Sequence, residues 1–271
     1  MDVTHWLKPD LLDGKVALVT GGGTGIGLVI ARALGQVGAR VHLAARGTDR
    51  LEAACAALTD EGIKASWSRL DIRDHERVAQ VVSDVVERHG GIDILVNNAG
   101  GQFPIKAEEL SPGGWRAVVD LNLNGTFYVT REVGRHLIEA RRGGKILSIV
   151  LNVMERTTQG MVHSGAARAG VMHMTRTLAA EWARFGIQVN AMGPLYLSES
   201  AQQVYTEDVA RVVSDATPMH RWATDDELGM WAAWLCSPAT DYVTGVTVPV
   251  DGGNWVGGGL GWRGTSILSD D

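Results

Sequence analysis

A chain of 271 residues, 45% hydrophobic and 21% charged, carries enough apolar material for one large core or two small ones. Its formal charge of −6 argues against nucleic acid or an anionic membrane as partner, because phosphate binding normally needs a basic surface. The opening MDVTHWLKPDLLDGK has three acidic residues and no apolar core of a secretory signal, and no apolar run reaches the ~18 residues of a membrane helix; the expectation is a cytoplasmic protein.

The first predicted strand is KVALVT (15–20). It runs into TGGGTGIGLVIARAL, a glycine-rich turn that opens a helix. Gly21, Gly25 and Gly27 let backbone approach a pyrophosphate, whose charge meets the helix N-terminus. The strand before the turn and the helix after it are the context this motif requires, so Thr20, Gly21, Gly23, Thr24, Gly25, Ile26 and Gly27 are candidate cofactor residues. A second strand, RVHLAA (40–45), ends at Arg46 with no carboxylate in the run. An acidic residue there would hold a free ribose 2′-hydroxyl, whereas a guanidinium grips a 2′-phosphate. The cofactor expected is therefore NADP, bound as NADPH, rather than NAD.

Further strands are expected at DILVNN (93–98), KILSIV (145–150), IQVNAM (187–192) and VTVPVD (246–251). Their continuous apolar character suits a sheet covered on both faces. Between 145–150 and 187–192, Ala167, Val171, Met174, Leu178 and Trp182 mark one face of a helix. Cys55 and Cys236 sit in helical apolar stretches and read as buried thiols, not as a disulfide or a metal site. Strands alternating with helices mean βαβ units and a parallel sheet. The fold class is α/β: one doubly wound Rossmann-type domain over 1–271, with a small lid at about 195–222 and a glycine-rich tail at 254–271. Within the lid, YLSESAQQVYTEDVARVV reads as helix.

The motifs TGGGTGIG (20–27), DI (71–72), NNAG (97–100), LNLNGTF (121–127) and VTGVTVPVDGG (243–253) occur together and in order. On them the chain resembles the short-chain dehydrogenase/reductases from about residue 13 to 254. The resemblance implies a dimer or tetramer. It implies that Asp71 and Ile72 border the adenine, that Asn98, Ala99 and Gly100 lie along the cofactor, and that Pro194 and Leu197 lie near the nicotinamide. Carbonyl-reducing members use an Asn, a Ser, a Tyr and a Lys. Asn122 matches the first. The other three positions hold Leu151, Ser164 and Arg168.

A serine hydroxyl cannot be tuned as a phenol can, an arginine does not relay a proton, and Leu151 polarises nothing. NNAGGQFP, GWRAVVDLNLNGTFYVTR and VHSGAARAGV are similar to the peroxisomal trans-2-enoyl-CoA reductases, with 2,4-dienoyl-CoA reductases as cousins. That branch also carries Ser and Arg in this frame. The activity so implied is NADPH-dependent reduction of the double bond of an enoyl thioester, a small-molecule substrate on coenzyme A or a carrier. An alcohol dehydrogenase with rearranged groups, or an NADP-binding member without turnover, are the alternatives.

Ser164 either donates to an enolate oxygen or caps a helix. Arg168, at i+4, either holds the nicotinamide ribose or forms a structural ion pair. His163 is either a proton source or structural, and Tyr196 and Thr157 are weaker candidates for protonating Cα. Arg156 or Lys106 either meets coenzyme A phosphates or is a solvated surface charge. Leu195 fills a position where the family has glycine.

Overall fold

The computed structural model of the protein describes residues 2–150, 159–198 and 207–256. All six predicted strands form within two residues of their expected ends: β1 Val16–Thr20, β2 Arg40–Ala45, β4 Ile94–Asn97, β5 Gly144–Ile149, β6 Ile187–Pro194 and β7 Thr247–Val250. A further strand, β3 Ala65–Arg69, escapes the sequence reading. The seven strands line up as β3-β2-β1-β4-β5-β6-β7, every neighbouring pair parallel. As an edge strand, β3 lacks the apolar run of the interior strands. Ala65 and Trp67 pack on the core while Ser66 and Ser68 bond His42.

Helices cover both faces. They are α1 Gly25–Gln36, α2 Thr48–Asp60, α3 His75–His89, α4 Pro112–Val119, α5 Gly125–Ala140, α6 Val162–Trp182, α7 Glu207–Asp215 and α8 Asp225–Leu235, with a π-helical segment Asp120–Asn124 joining α4 to α5. Along β1, Ala17 and Val19 pack with Leu34, Leu58 and Leu228 of α1, α2 and α8. Val16 and Leu18 pack on the other side with Val85, Val133 and Leu178 of α3, α5 and α6. Each such Val or Leu side chain contributes about 1.5–3 kcal/mol on burial. A one-residue slip of β1 would exchange the two sets, so burial fixes the register.

Strand order reverses between β1 and β4, which opens a crevice at the carboxyl ends of these strands. Local signals place the helices around it. Asp74 caps α3 by accepting from Arg77 N at 3.0 Å, and Thr224 with Glu227 forms a reciprocal capping box at α8.

In α6, Ala167, Val171 and Leu178 are buried, and Met174 and Trp182 half-buried. Trp182 lies over Gly134 of α5, where any Cβ would overlap its ring. The helix also buries a second row, Ser164, Arg168, Met172 and Thr175, which the periodicity did not single out. The lid differs from expectation: Leu195–Ser198 is not helical, α7 begins at Glu207, and residues 199–206 lie outside the described residues. Of the tail, 257–271 also lie outside them. Cys236 is buried, Cys55 only half so, and both are free thiols. Among the described residues no helix is long and apolar enough to cross a membrane.

Candidate active site

The glycine-rich turn sits at the carboxyl end of β1, in the crevice. Gly21 adopts φ +65°, and a Cβ there would stand 2.7 Å from Asn98 Nδ2. At Gly27 a Cβ would overlap the carbonyl oxygen of Gly21, so α1 packs directly against the turn. Asn98 holds this cradle open. Its Nδ2 donates to Thr20 O at 3.1 Å and Gly21 O at 3.2 Å. The Thr20 hydroxyl donates to Val96 O and accepts from the backbone of Asn98 and Ala99. Thr20 and the Asn98 side chain therefore shape the turn from within. Gly23 and Gly25 line its rim, with exposed Thr24 as the N-cap of α1 and Ile26 half-buried. Ser198 packs beside Gly25, which brings the segment after β6 across the turn.

At the adenosine end, Arg46 projects exposed from the end of β2. Arg69 ends the neighbouring β3, paired in register with Ala45. Arg73 forms a fork on Asp71, with Nε to Oδ1 at 3.0 Å and Nη2 to Oδ2 at 2.6 Å. The bonded Arg73, with a smaller contribution from Arg46, holds the Asp71 carboxyl below its ordinary range. Ile72 turns its side chain inward under Gly125. Only its backbone borders the crevice.

The other half of the crevice gathers Asn122, Ser164 and Arg168. Asn122 is buried on the π-helical segment, with Oδ1 accepting from Gly101 N at 2.9 Å and Nδ2 donating to Gly101 O at 3.0 Å. Its carbonyl accepts from the Thr126 hydroxyl at 2.9 Å. Ser164 lies inside the first turn of α6, whose N-cap is Met161, so the reading of Ser164 as a cap is wrong. Its Oγ donates instead to Gln102 Oε1 at 2.5 Å. Gln102 was not singled out from the sequence, since nothing local marks an exposed glutamine in the loop after β4.

Arg168 has no carboxylate partner among the described residues. Its Nη1 is buried without any hydrogen-bond partner. A Cβ at Gly100 would fall on Nη2, so the guanidinium lies against the cofactor-side backbone. Burial pulls the guanidinium down to about 10, which still leaves it charged at neutral pH. An unpaired buried cation is costly unless acceptors arrive with a ligand. The hydroxyls of a nicotinamide ribose are such acceptors. The cradle at Gly21 and Gly27, which a Cβ would fill, fits the pyrophosphate of the same group.

The remaining candidates separate. The Tyr196 hydroxyl donates to Asp225 Oδ1 at 2.6 Å, so its proton is committed there. Tyr128 packs edge-on to His75, and Tyr242 is fully exposed. Lys106 pairs with Glu109 on the surface. Leu195 is buried and extends the sheet, its N–H bonding Val250 O at 2.9 Å, so the missing glycine is replaced by strand and not by strain. Pro194 ends β6 and Leu197 is half-buried beyond it. Leu151, Arg156 and Thr157 lie outside the described residues.

A family profile described as enoyl-(acyl carrier protein) reductase matches residues 21–254. The chain is a short-chain dehydrogenase/reductase. It is an oxidoreductase built on the nicotinamide-dinucleotide fold of that family. It is 34% identical over 259 residues to the peroxisomal 2,4-dienoyl-CoA reductase of Arabidopsis thaliana, covering 92% of this chain and 87% of that one. It is 36% identical over 249 residues to the gluconate 5-dehydrogenase of Gluconobacter oxydans, covering 90% and 97%. A gluconate 5-dehydrogenase from Burkholderia cenocepacia, solved in complex with NADP and tartrate, superposes with a TM-score of 0.87 at 34% identity, covering 92% of this chain and 98% of that one. Relatives of two reaction classes thus stand at similar distance.

Proposed function

We propose that the protein reduces the carbon–carbon double bond of an enoyl thioester, on coenzyme A or an acyl carrier, with NADPH. The observation that carries this reading is the arrangement at α6. Where carbonyl-reducing relatives hold Tyr and Lys, a buried Ser164 bonds Gln102 and an unpaired Arg168 guanidinium lies against Gly100. No described phenol stands with them. The bound nicotinamide supplies hydride.

Addition at Cβ leaves negative charge on the thioester oxygen, and proton delivery to carbon occurs at a separate place. Such an oxygen needs hydrogen-bond donors and a positive field, not a phenolic acid. The Gln102 amide N–H supplies a donor, and the Ser164 hydroxyl becomes a second when the thioester oxygen takes it from Gln102 Oε1. Arg168 supplies a fixed charge while holding the ribose. Thr126 engages the Asn122 carbonyl, which removes one acceptor from any water chain running through that residue. Arg46 at the end of β2 and Arg69 at the end of the neighbouring β3 favour a 2′-phosphate and hence NADPH. We place the enzyme in the cytoplasm as a homo-oligomer, dimer or tetramer.

The name of the Gluconobacter relative favours a second reading, oxidation of a polyol or reduction of its ketone. That chemistry requires an acid–base group which Ser164 and Arg168 do not provide.

Variants separate the roles. Ser164→Ala should leave NADPH affinity unchanged and lower enoyl-CoA turnover by roughly 10²-fold. Arg168→Ala should weaken NADPH, and Arg168→Lys should regain part of that binding because the charge remains. Turnover of Ser164→Ala at the parent rate contradicts the donor role.

A further inference from the structure

We propose that His163 is a catalytic hydrogen-bond donor to the substrate oxygen, acting through Nε2–H; the proposal rests on the enoyl-thioester reading above. His163 is the second residue of α6 and is fully buried. Its Nδ1 accepts from the backbone N–H of Ser164 at 2.8 Å. An N–H donor requires the lone pair on that nitrogen, so the ring proton resides on Nε2. Nε2 has no hydrogen-bond partner. Buried N–H groups without acceptors are few in native proteins, and each one demands an acceptor that comes from elsewhere.

The position of the ring says where that acceptor lies. Phe103 meets His163 edge-on, with centroids 4.7 Å apart and planes at 89°. The neighbouring Gln102 receives the hydroxyl of Ser164. Three residues beyond Gln102, Ile105 N donates to Gly160 O at 3.0 Å, just before α6. His163 and Ser164 of α6 thus meet Phe103 and Gln102 of the loop after β4, which sets the orphan donor beside the Ser164–Gln102 pair. Arg168 Nη1, five residues further along, is likewise buried without a partner, as is the Thr175 hydroxyl further down the helix.

This arrangement decides between two chemistries for His163. A general acid would need a proton on both nitrogens, and the proton on Nδ1 would displace the Ser164 N–H bond. A donor needs only the tautomer already set. No bond to His163 forms or breaks: the Nε2 proton stays on nitrogen and shares itself with the thioester oxygen as charge develops there. Donors of this kind, oriented before the reaction, act on the transition state more than on the bound substrate. On this proposal the proton on Cα comes from a group other than His163.

The test compares the parent with His163→Phe, which keeps ring bulk and removes the donor, and His163→Gln, which returns an N–H. NADPH oxidation is followed with crotonyl-CoA and, separately, with a keto sugar acid, alongside NADPH affinity and melting temperature. For crotonyl-CoA, His163→Phe should lose about 10²-fold in kcat with KM within about threefold and NADPH affinity unchanged, and His163→Gln should regain about tenfold. Parent-like kcat in His163→Phe overturns the proposal. So does a loss that tracks lower melting temperature or weaker NADPH binding in both variants. If the parent turns over the keto acid but not crotonyl-CoA, the enoyl reading fails alone. The same kcat loss and rescue on the keto acid then upholds the donor, and their absence overturns it. A parent inert toward both substrates overturns both readings.

Discussion

Arg168 of α6 lies so close to Gly100, beyond the end of β4, that a Cβ on Gly100 would coincide with Nη2 of the guanidinium. The same Cβ would stand 3.0 Å from Asn122 Oδ1. The contacted arginine atom is the far end of a flexible side chain, so Gly100→Ala should fold with little change in melting temperature. The guanidinium must swing aside, and NADPH affinity should fall by about tenfold, about 1.4 kcal/mol. Isothermal titration with NADPH on the folded variant checks this, and parent-like affinity would show that Arg168 does not hold the cofactor.

The proposed preference for NADPH should rest on Arg46. Replacing it by Ala should weaken NADPH by about 10- to 100-fold, in line with about 1.5–3 kcal/mol for a charge-assisted hydrogen bond, and leave NADH nearly unchanged. Dissociation constants for both cofactors in parent and variant decide it. Equal affinity of the parent for the two would contradict the assignment.

His42 should make the fold acid-sensitive. It is buried in β2, with Nδ1 2.9 Å from Ser66 Oγ and Nε2 3.0 Å from Ser68 Oγ. Burial, reinforced by His89 and Arg88, pushes it down to about 3. In the unfolded chain it titrates near 6.5. Between these values the unfolded chain carries a proton that the native state lacks. The contribution is complete above about pH 6.5 and is lost as pH falls toward 3. From pH 7 to pH 5 this group alone should cost about 2 kcal/mol of stability. Urea midpoints of the parent should show that loss, while a His42→Gln variant, less stable overall, should show a much flatter dependence. Parallel curves would refute the attribution.

A homo-oligomer is expected, with α6 at one contact. Phe127 of α5 and Trp115 of α4 are both exposed, on helices adjoining α6. Sedimentation velocity at micromolar concentration should report a dimer or tetramer, and a stable monomer would rule the contact out.

What the sequence revealed, and what it hid, follows from the range of the interactions. Interior strands such as β1 and β4 announce themselves because both faces are buried and nearly all their residues are apolar. At the edge, β3 hides in ASWSR, whose serines serve His42 and whose only large apolar group is Trp67. Glycines at 21 and 27 were legible because a turn against a helix tolerates nothing larger.

The partners of α6 were not legible. Ser164 reads equally as a donor or as a cap when only its neighbours in the chain are known, but its bond runs to Gln102, 62 residues away. The lack of a partner for Arg168 is likewise a property of the assembled crevice. A buried cation on a helix predicts a nearby carboxylate, and no described residue supplies one.

The central claim is tested most directly by incubating the purified protein with NADPH and crotonyl-CoA, following absorbance at 340 nm and weighing the acyl product by mass spectrometry. Enoyl reduction predicts NADPH loss matched one-to-one by butanoyl-CoA, with no comparable rate on a keto sugar acid. NADPH consumption with the keto acid alone, or tight NADPH binding with no turnover of either substrate, would contradict it.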